Sequence, residues 1–136
     1  MRKFFECLSM TIAVNAQLNL VSDKYEIKVQ TPDEKAFMDA MNEMDYKFES
    51  RVQDIITMKC RGESLIFKIV LTMPFDPSRK KMSLMLKTAD DRHILYLKGA
   101  DSSIMPYVKM DKKEKEKLQQ RIDQYALKGY RIMVFA

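Results

Sequence analysis

Apolar and polar positions change period several times along this chain. Over residues 3–18, Phe4, Phe5, Leu8 and Ile12 recur at helical spacing, which predicts an amphipathic helix. "YEIKVQ", Tyr25 to Gln30, alternates as a half-buried strand does. "TPDEKAFMDAMNEM" returns to a helical period, with Phe37, Ala40, Met41 and Met44 as the expected buried stripe. Its opening has helix-start chemistry. Thr31 can cap the first turn, Pro32 suits the first helical position, and Asp33 and Glu34 favour the positive end of the helix dipole.

The centre then turns to strand patterning. "YKFES" is short. "DIITMKC" and "SLIFKIVLTM" flank "RGE", and "KKMSLMLKT" and "RHILYLK" flank "ADD", two hairpin signals. "MDKKEKEKLQQRIDQYALKG" predicts a helix with Leu118, Ile122 and Tyr125 or Ala126 on one face and Gly129 as its stop. The alternating charges of "KKEKEK" suit a solvated helix face. "YRIMVFA" closes as a strand. Hairpins imply antiparallel pairing, so the expected class is α+β, a mostly antiparallel sheet flanked by helices.

Composition narrows the function. The 136 residues suit one domain with one core. Three glycines and four prolines leave little flexible linker, and twelve methionines suit an adaptable core filler. The net charge of +5 favours anionic partners such as phosphates, nucleic acid or acidic lipid without choosing among them. Cys7 and Cys60, the two cysteines, make no disulfide framework or zinc spacing and are read as reduced thiols. His93 is the only histidine, which excludes a multi-histidine metal site, and it reads as a surface strand residue. No stretch reaches the ~18 consecutive apolar residues of a membrane span.

Four stretches make unusual choices. Pro32-Asp33-Glu34 puts carboxylates at a helix start, as dipole partners or as acceptors for a ligand amine. "PFDPSRKKMS", Pro74 to Ser83, sets Phe75 between two prolines that interrupt strand pairing, with three cations following. A stiffly held aromatic offers a face for stacking a base, and Arg79, Lys80 and Lys81 could meet phosphates. In "KGAD", Lys98 ends a strand beside Gly99, which permits a close backbone approach. Arg131 in "GYRIMVFA" stands in an apolar run, where an ion pair and a ligand contact are equally good explanations. No GxGxxG or Walker A loop is present.

Together and in order, these stretches resemble the nucleotide-binding (N) domain of P-type ATPases, most closely the P4, phospholipid-transporting branch. "TPDEKA" is similar to that branch's Ser/Thr-Pro-Asp-Glu signature and "FDPSRKKMS" to its Phe-x-x-x-Arg-Lys-Arg-Met-Ser stretch. "LYLKGAD" and "GYRIMVFA" are similar to its Lys-Gly-Ala-Asp and Gly-Leu-Arg-Thr-Leu motifs. The likeness spans nearly the whole chain, so residues 1–136 are expected to form a single N domain of a larger multi-pass membrane ATPase.

The resemblance implies a nucleotide site. Phe75 would stack on adenine, Glu34 would accept from its amino group, and Lys98 would line the pocket with Gly99 giving room. Lys80 and Arg131 would meet or steer the phosphates, and Met82 and Ser83 would shape the wall. ATP is the implied ligand, with Mg carried alongside it in the full-length protein on ligands outside this chain. No catalytic residue or metal ligand is assigned here, because the family's Asp-Lys-Thr-Gly phosphorylation motif is absent from the sequence. The domain alone is therefore expected to bind nucleotide without turnover.

Implied partners are the phosphorylation and actuator domains of the same polypeptide, with room for an accessory subunit. The expected location is a cytosolic domain of an integral membrane protein that does not itself span the bilayer. Three departures stand out: Met10-Thr11-Ile12 where flippases often carry Cys-His-Thr, a stretch between the first helix and "YEIKVQ" that is short for the branch, and Pro77 where calcium pumps carry an arginine. The alternative is a flippase-like module without turnover, serving as nucleotide sensor or interaction domain, even fused to another enzyme. A basic nucleic-acid binder would also use the charge and Phe75. However, 19 acidic residues against 24 basic ones and the lack of a nucleic-acid motif argue against it.

Overall fold

The computed structural model describes residues 7, 11–13, 15–21, 24–29 and 31–136. Cys7 and residues 11–13 are helical, and the chain has left the helix by Asn15. Two strands, β1 (Gln17–Val21) and β2 (Lys24–Lys28), then pair as an antiparallel hairpin. Helix α1 (Pro32–Glu43) follows, and β3 (Tyr46–Val52), β4 (Ile55–Cys60), β5 (Glu63–Asp76), β6 (Lys81–Thr88) and β7 (His93–Gly99) run in succession. A short helix α2 (Asp101–Ile104), a 3₁₀ turn (Met105–Tyr107), helix α3 (Lys112–Leu127) and β8 (Val134–Phe135) complete the chain. Strands β3 to β8 form one six-stranded antiparallel sheet in sequence order. The α+β class, an antiparallel sheet flanked by helices, is as expected.

Local chemistry fixes the turns. Arg61 and Gly62 both have positive φ, the twist that a two-residue hairpin between β4 and β5 needs. Thr31 caps α1 through its hydroxyl, which accepts from Glu34 N at 3.2 Å, as the sequence predicted. α3 is capped by Asp111, which accepts from Glu114 N at 2.9 Å. It ends with Gly129 at φ 80° while Tyr130 N reaches back to Tyr125 O at 3.1 Å, a Schellman stop.

One face of the sheet carries the core. Met38 and Met41 of α1 pack with Tyr46, Phe48, Ile56, Met58, Phe67, Met82, Leu84, Leu86 and Tyr96 from five strands, and with Ile12 and Ala13. Each fully buried side chain of this kind contributes ~1.5–3 kcal/mol. Methionine fills much of this core, as expected, although Met44, Met73 and Met110 are exposed. Cys7 is buried at the chain's other end, with Sγ 3.4 Å from Ala136 O, and burial pushes its thiol pKa up to about 12.

Several expectations need correcting. The helix predicted over residues 3–18 stops short, because Gln17 and Leu18 belong to β1, which pairs with β2 across the sequence the periodicity assigned to a helix end. Phe4, Phe5 and Leu8 lie outside the described residues, whereas Ile12 is fully buried. Of the predicted stripe of α1, Met41 is buried and Phe37 packs partly buried against the core, whereas Met44 is exposed at the helix's end; Glu34 and Met38 complete the buried face. β5 runs through Pro74 and Phe75 to Asp76. Pro74 does interrupt the pairing as expected, since the ladder slips between Met73 and Asp76 in a bulge that removes the need for a proline N–H, but the strand continues past it and ends at Asp76, just before Pro77. The final strand is only two residues long, so Arg131 lies outside it. Tyr125 and Ala126 of α3 are exposed, and Ile122 is its one buried residue among those described.

Candidate nucleotide site

The site begins with strand register. Met82 of β6 lies directly opposite Lys98 of β7, and Lys98 lies opposite Phe135 of β8. On the other flank, Met73 faces Ser83 and Asp76 faces Lys81, so Pro74 and Phe75 share the place opposite Met82. Phe75, Met82, Lys98 and Phe135 thus form one row across four strands, on the face that α1 covers. From Phe75 to Lys98 is two strand spacings, ~10 Å, with the buried Met82 between them. Phe75 is 62% exposed, so its ring is open to a partner.

α1 supplies the acid. Lys98 Nζ donates to Glu34 Oε1 at 2.8 Å, and both residues are buried. Asn15 Nδ2 donates to the same oxygen at 3.4 Å. A buried carboxylate and ammonium persist only when each satisfies the other. Phe37 of α1 meets Phe135 edge-to-face at 5.6 Å, giving the pair an apolar flank. One residue earlier on α1, Asp33 Oδ2 accepts from Arg131 Nη1 at 3.0 Å, with the arginine side chain 83% exposed. Arg131 therefore reaches the same helix start as Glu34, although from an irregular segment and not from a strand.

The remaining predicted residues lie differently. Lys80 closes the tight turn before β6 at φ 52° and is exposed, and its carbonyl accepts from Ala100 N at 3.0 Å. A Cβ on Gly99 would come within 2.4 Å of Lys80 O and 2.7 Å of Lys81 Cα. The neighbouring strand thus accounts for this glycine without any ligand. Ser83 is buried, but the register puts it opposite Leu97 and Met73, on the face away from Met82 and Lys98. The structure therefore brings together Glu34, Phe75, Met82, Lys98 and Arg131, holds Lys80 and Gly99 at the edge, and turns Ser83 away. Sequence reasoning missed Asn15, Phe135 and the pairing role of Asp33. The sequence offers the Asp33 carboxylate as a dipole partner or a ligand acceptor and does not show its cation, and the other two depend on which elements meet in space.

The family described as "P-type ATPase, cytoplasmic domain N" matches residues 6–136. The chain belongs to that family. Among curated proteins, it is 31% identical over 98% of its length to "Phospholipid-transporting ATPase dnf2" of Schizosaccharomyces pombe. It is 29% identical over 98% of its length to "Phospholipid-transporting ATPase FetA" of Mus musculus. It is 27% identical over its full length to "Probable phospholipid-transporting ATPase 11" of Arabidopsis thaliana. The likeness to the phospholipid-transporting branch holds. The chain spans only 10–12% of the length of these relatives.

Proposed function

We propose that this chain binds ATP as the nucleotide-binding domain of a phospholipid-translocating P-type ATPase. The row Phe75–Met82–Lys98, closed by Glu34, is the observation that carries this reading. An exposed aromatic ring lies two strands from a buried ammonium–carboxylate pair, a spacing that lets a purine stack on Phe75 with its edge toward that pair. Its amino edge then meets Glu34, the buried carboxylate beside Lys98. Arg131, exposed and tied only to Asp33 among the described residues, turns toward phosphates when they arrive, because an exposed pair of this kind is cheap to exchange. Lys80 adds charge at the open end.

In this reading residues 1–136 are one domain of a longer membrane ATPase, on its cytosolic side. Among the described residues no helix is long and apolar enough to cross a membrane. The domain holds the base and orients the phosphates. The full-length enzyme supplies the acceptor aspartate on its phosphorylation domain and the sites for Mg, and couples transfer to lipid movement. This chain's own contribution is positioning, the main source of catalysis in phosphoryl transfer.

Calorimetric titration of the domain with ATP and with GTP tests the reading. ATP is expected to bind the more tightly, since a guanine presents a carbonyl where adenine presents its amino group to Glu34. Equal affinity for the two would remove Glu34 from base recognition, and no heat with either at millimolar nucleotide would overturn the reading.

A further inference from the structure

A second cationic cleft lies on the opposite side of the sheet. Lys81 is opposite Gly99 and one residue before Met82, so its side chain leaves the face away from the Phe75–Met82–Lys98 row. There its Nζ donates to Ser103 O at 3.4 Å and lies 4.1 Å from the centre of the Tyr107 ring. Arg79 approaches from the β5–β6 turn, with Nη2 donating to Pro74 O at 3.0 Å. With Ser102, Ser103 and Pro106 these residues line a cleft of about 360 Å³.

Both cations are held, and neither is spent. Asp76 is the carboxylate nearest in sequence. It is engaged by the turn itself, accepting from Ser78 N at 2.7 Å, Ser78 Oγ at 2.6 Å and Arg79 N at 3.3 Å. Those bonds, with a smaller contribution from the Arg79 charge, hold its pKa below the usual carboxylate value, so it stays ionised and committed to the turn. Arg79 uses one of five guanidinium donors in the contacts above, and Lys81 one of three. Neither is in an ion pair among the described residues. Among the described residues no acid lines the cleft.

A planar donor fork, a point charge and two serine hydroxyls on one concavity match the three oxygens of a phosphate monoester better than a carboxylate's two. The space exceeds a bare phosphate, and Pro106 and Tyr107 give the remainder an apolar wall. We propose that this cleft is a second anion site, which takes the phosphate monoester of a small organic group independently of the nucleotide row. The same chemistry could come from a soluble metabolite or from a phosphorylated lipid headgroup.

The test is amide-shift titration of the folded chain with glycerol 3-phosphate against sodium chloride of equal ionic strength. Saturating shifts are expected at Arg79, Ser102, Ser103 and Tyr107, and are expected to persist in Phe75→Ala. Arg79→Gln/Lys81→Gln should weaken the response about tenfold or more, since each lost charge-assisted contact is substantial. Ser102→Glu, which puts a carboxylate into the cleft on an exposed position, should abolish it without disturbing the fold. Sedimentation with phosphatidylcholine vesicles, with and without phosphatidylinositol 4-phosphate, then separates the sources. Binding to the phosphorylated vesicles alone means a headgroup can enter; failure there, with glycerol 3-phosphate still bound, means a soluble monoester. Shifts no larger than those from chloride overturn the proposal. So does their loss in Phe75→Ala, or an unchanged response in the folded charge variants.

Discussion

Asp33 and Glu34 are neighbours in the first turn of α1, and each holds a cation from much later in the chain. The two pairs nevertheless differ in kind. Glu34 and Lys98 meet with side chains 7% and 10% exposed, whereas Arg131 opposite Asp33 is 83% exposed. Water competes for every contact of the outer pair, so its net contribution is small and it exchanges partners readily. The inner pair has already lost its hydration, and neither member can be removed without stranding the other. One helix start thus offers a fixed wall and a movable arm. A site that grips a base and steers phosphates needs both.

The contrast can be broken most forcefully at Lys98. Lys98→Ala leaves Glu34 buried without its ammonium and is expected to cost ~3–5 kcal/mol in urea denaturation. Glu34→Leu/Lys98→Met should recover most of that loss while still failing to bind ATP. A double variant as unstable as the single would mean that the pair is not the reason for the damage. Gly99→Ala comes next. Its new Cβ would press on the Lys80–Lys81 backbone and displace the end of β7, at an expected ~1–3 kcal/mol. A neutral result would contradict the close strand approach.

Phe75→Ala separates function from stability. Unfolding should change by no more than ~0.5 kcal/mol, because the ring is exposed. ATP affinity should fall by ~1–3 kcal/mol, the worth of one stacked base. Arg131→Ala is the mild counterpart of Lys98→Ala, with stability expected within ~1 kcal/mol of the parent and a drop in ATP affinity that shrinks as salt is raised. The smallest effect is a silence: Cys7, with its thiol pKa raised to about 12, should resist iodoacetamide at about pH 8 until the domain unfolds.

How far the sequence could be read depended on the range of the interaction involved. The caps at Thr31 and Gly129 and the Arg61-Gly62 turn were legible because they depend on residues within a few positions. Five central strands were legible from alternation, and Lys98 and Phe75 stood out as unusual residues in their settings. Depth of packing was not legible. α1 and α3 both show helical periodicity, but α1 lies on the core and buries Met38 and Met41, whereas α3 buries only Ile122 among the described residues. Ser83 was legible in the other direction: neighbours in a strand point to opposite faces, so alternation along β6 already turns Ser83 away from Met82's row, and only the resemblance had put it in the pocket wall. Phe135 and Asn15 joined the site through contacts made by distant parts of the chain.

Nucleotide binding at the Phe75–Lys98 row is open to one titration. ATP is added to the isotopically labelled domain while backbone amides are followed, beside the Phe75→Ala variant. The prediction is a saturating set of shifts centred on Glu34, Phe75, Met82, Lys98 and Arg131 that is lost or greatly weakened in the variant. A folded domain whose amides stay still at millimolar ATP, or shift equally in Phe75→Ala, would contradict it.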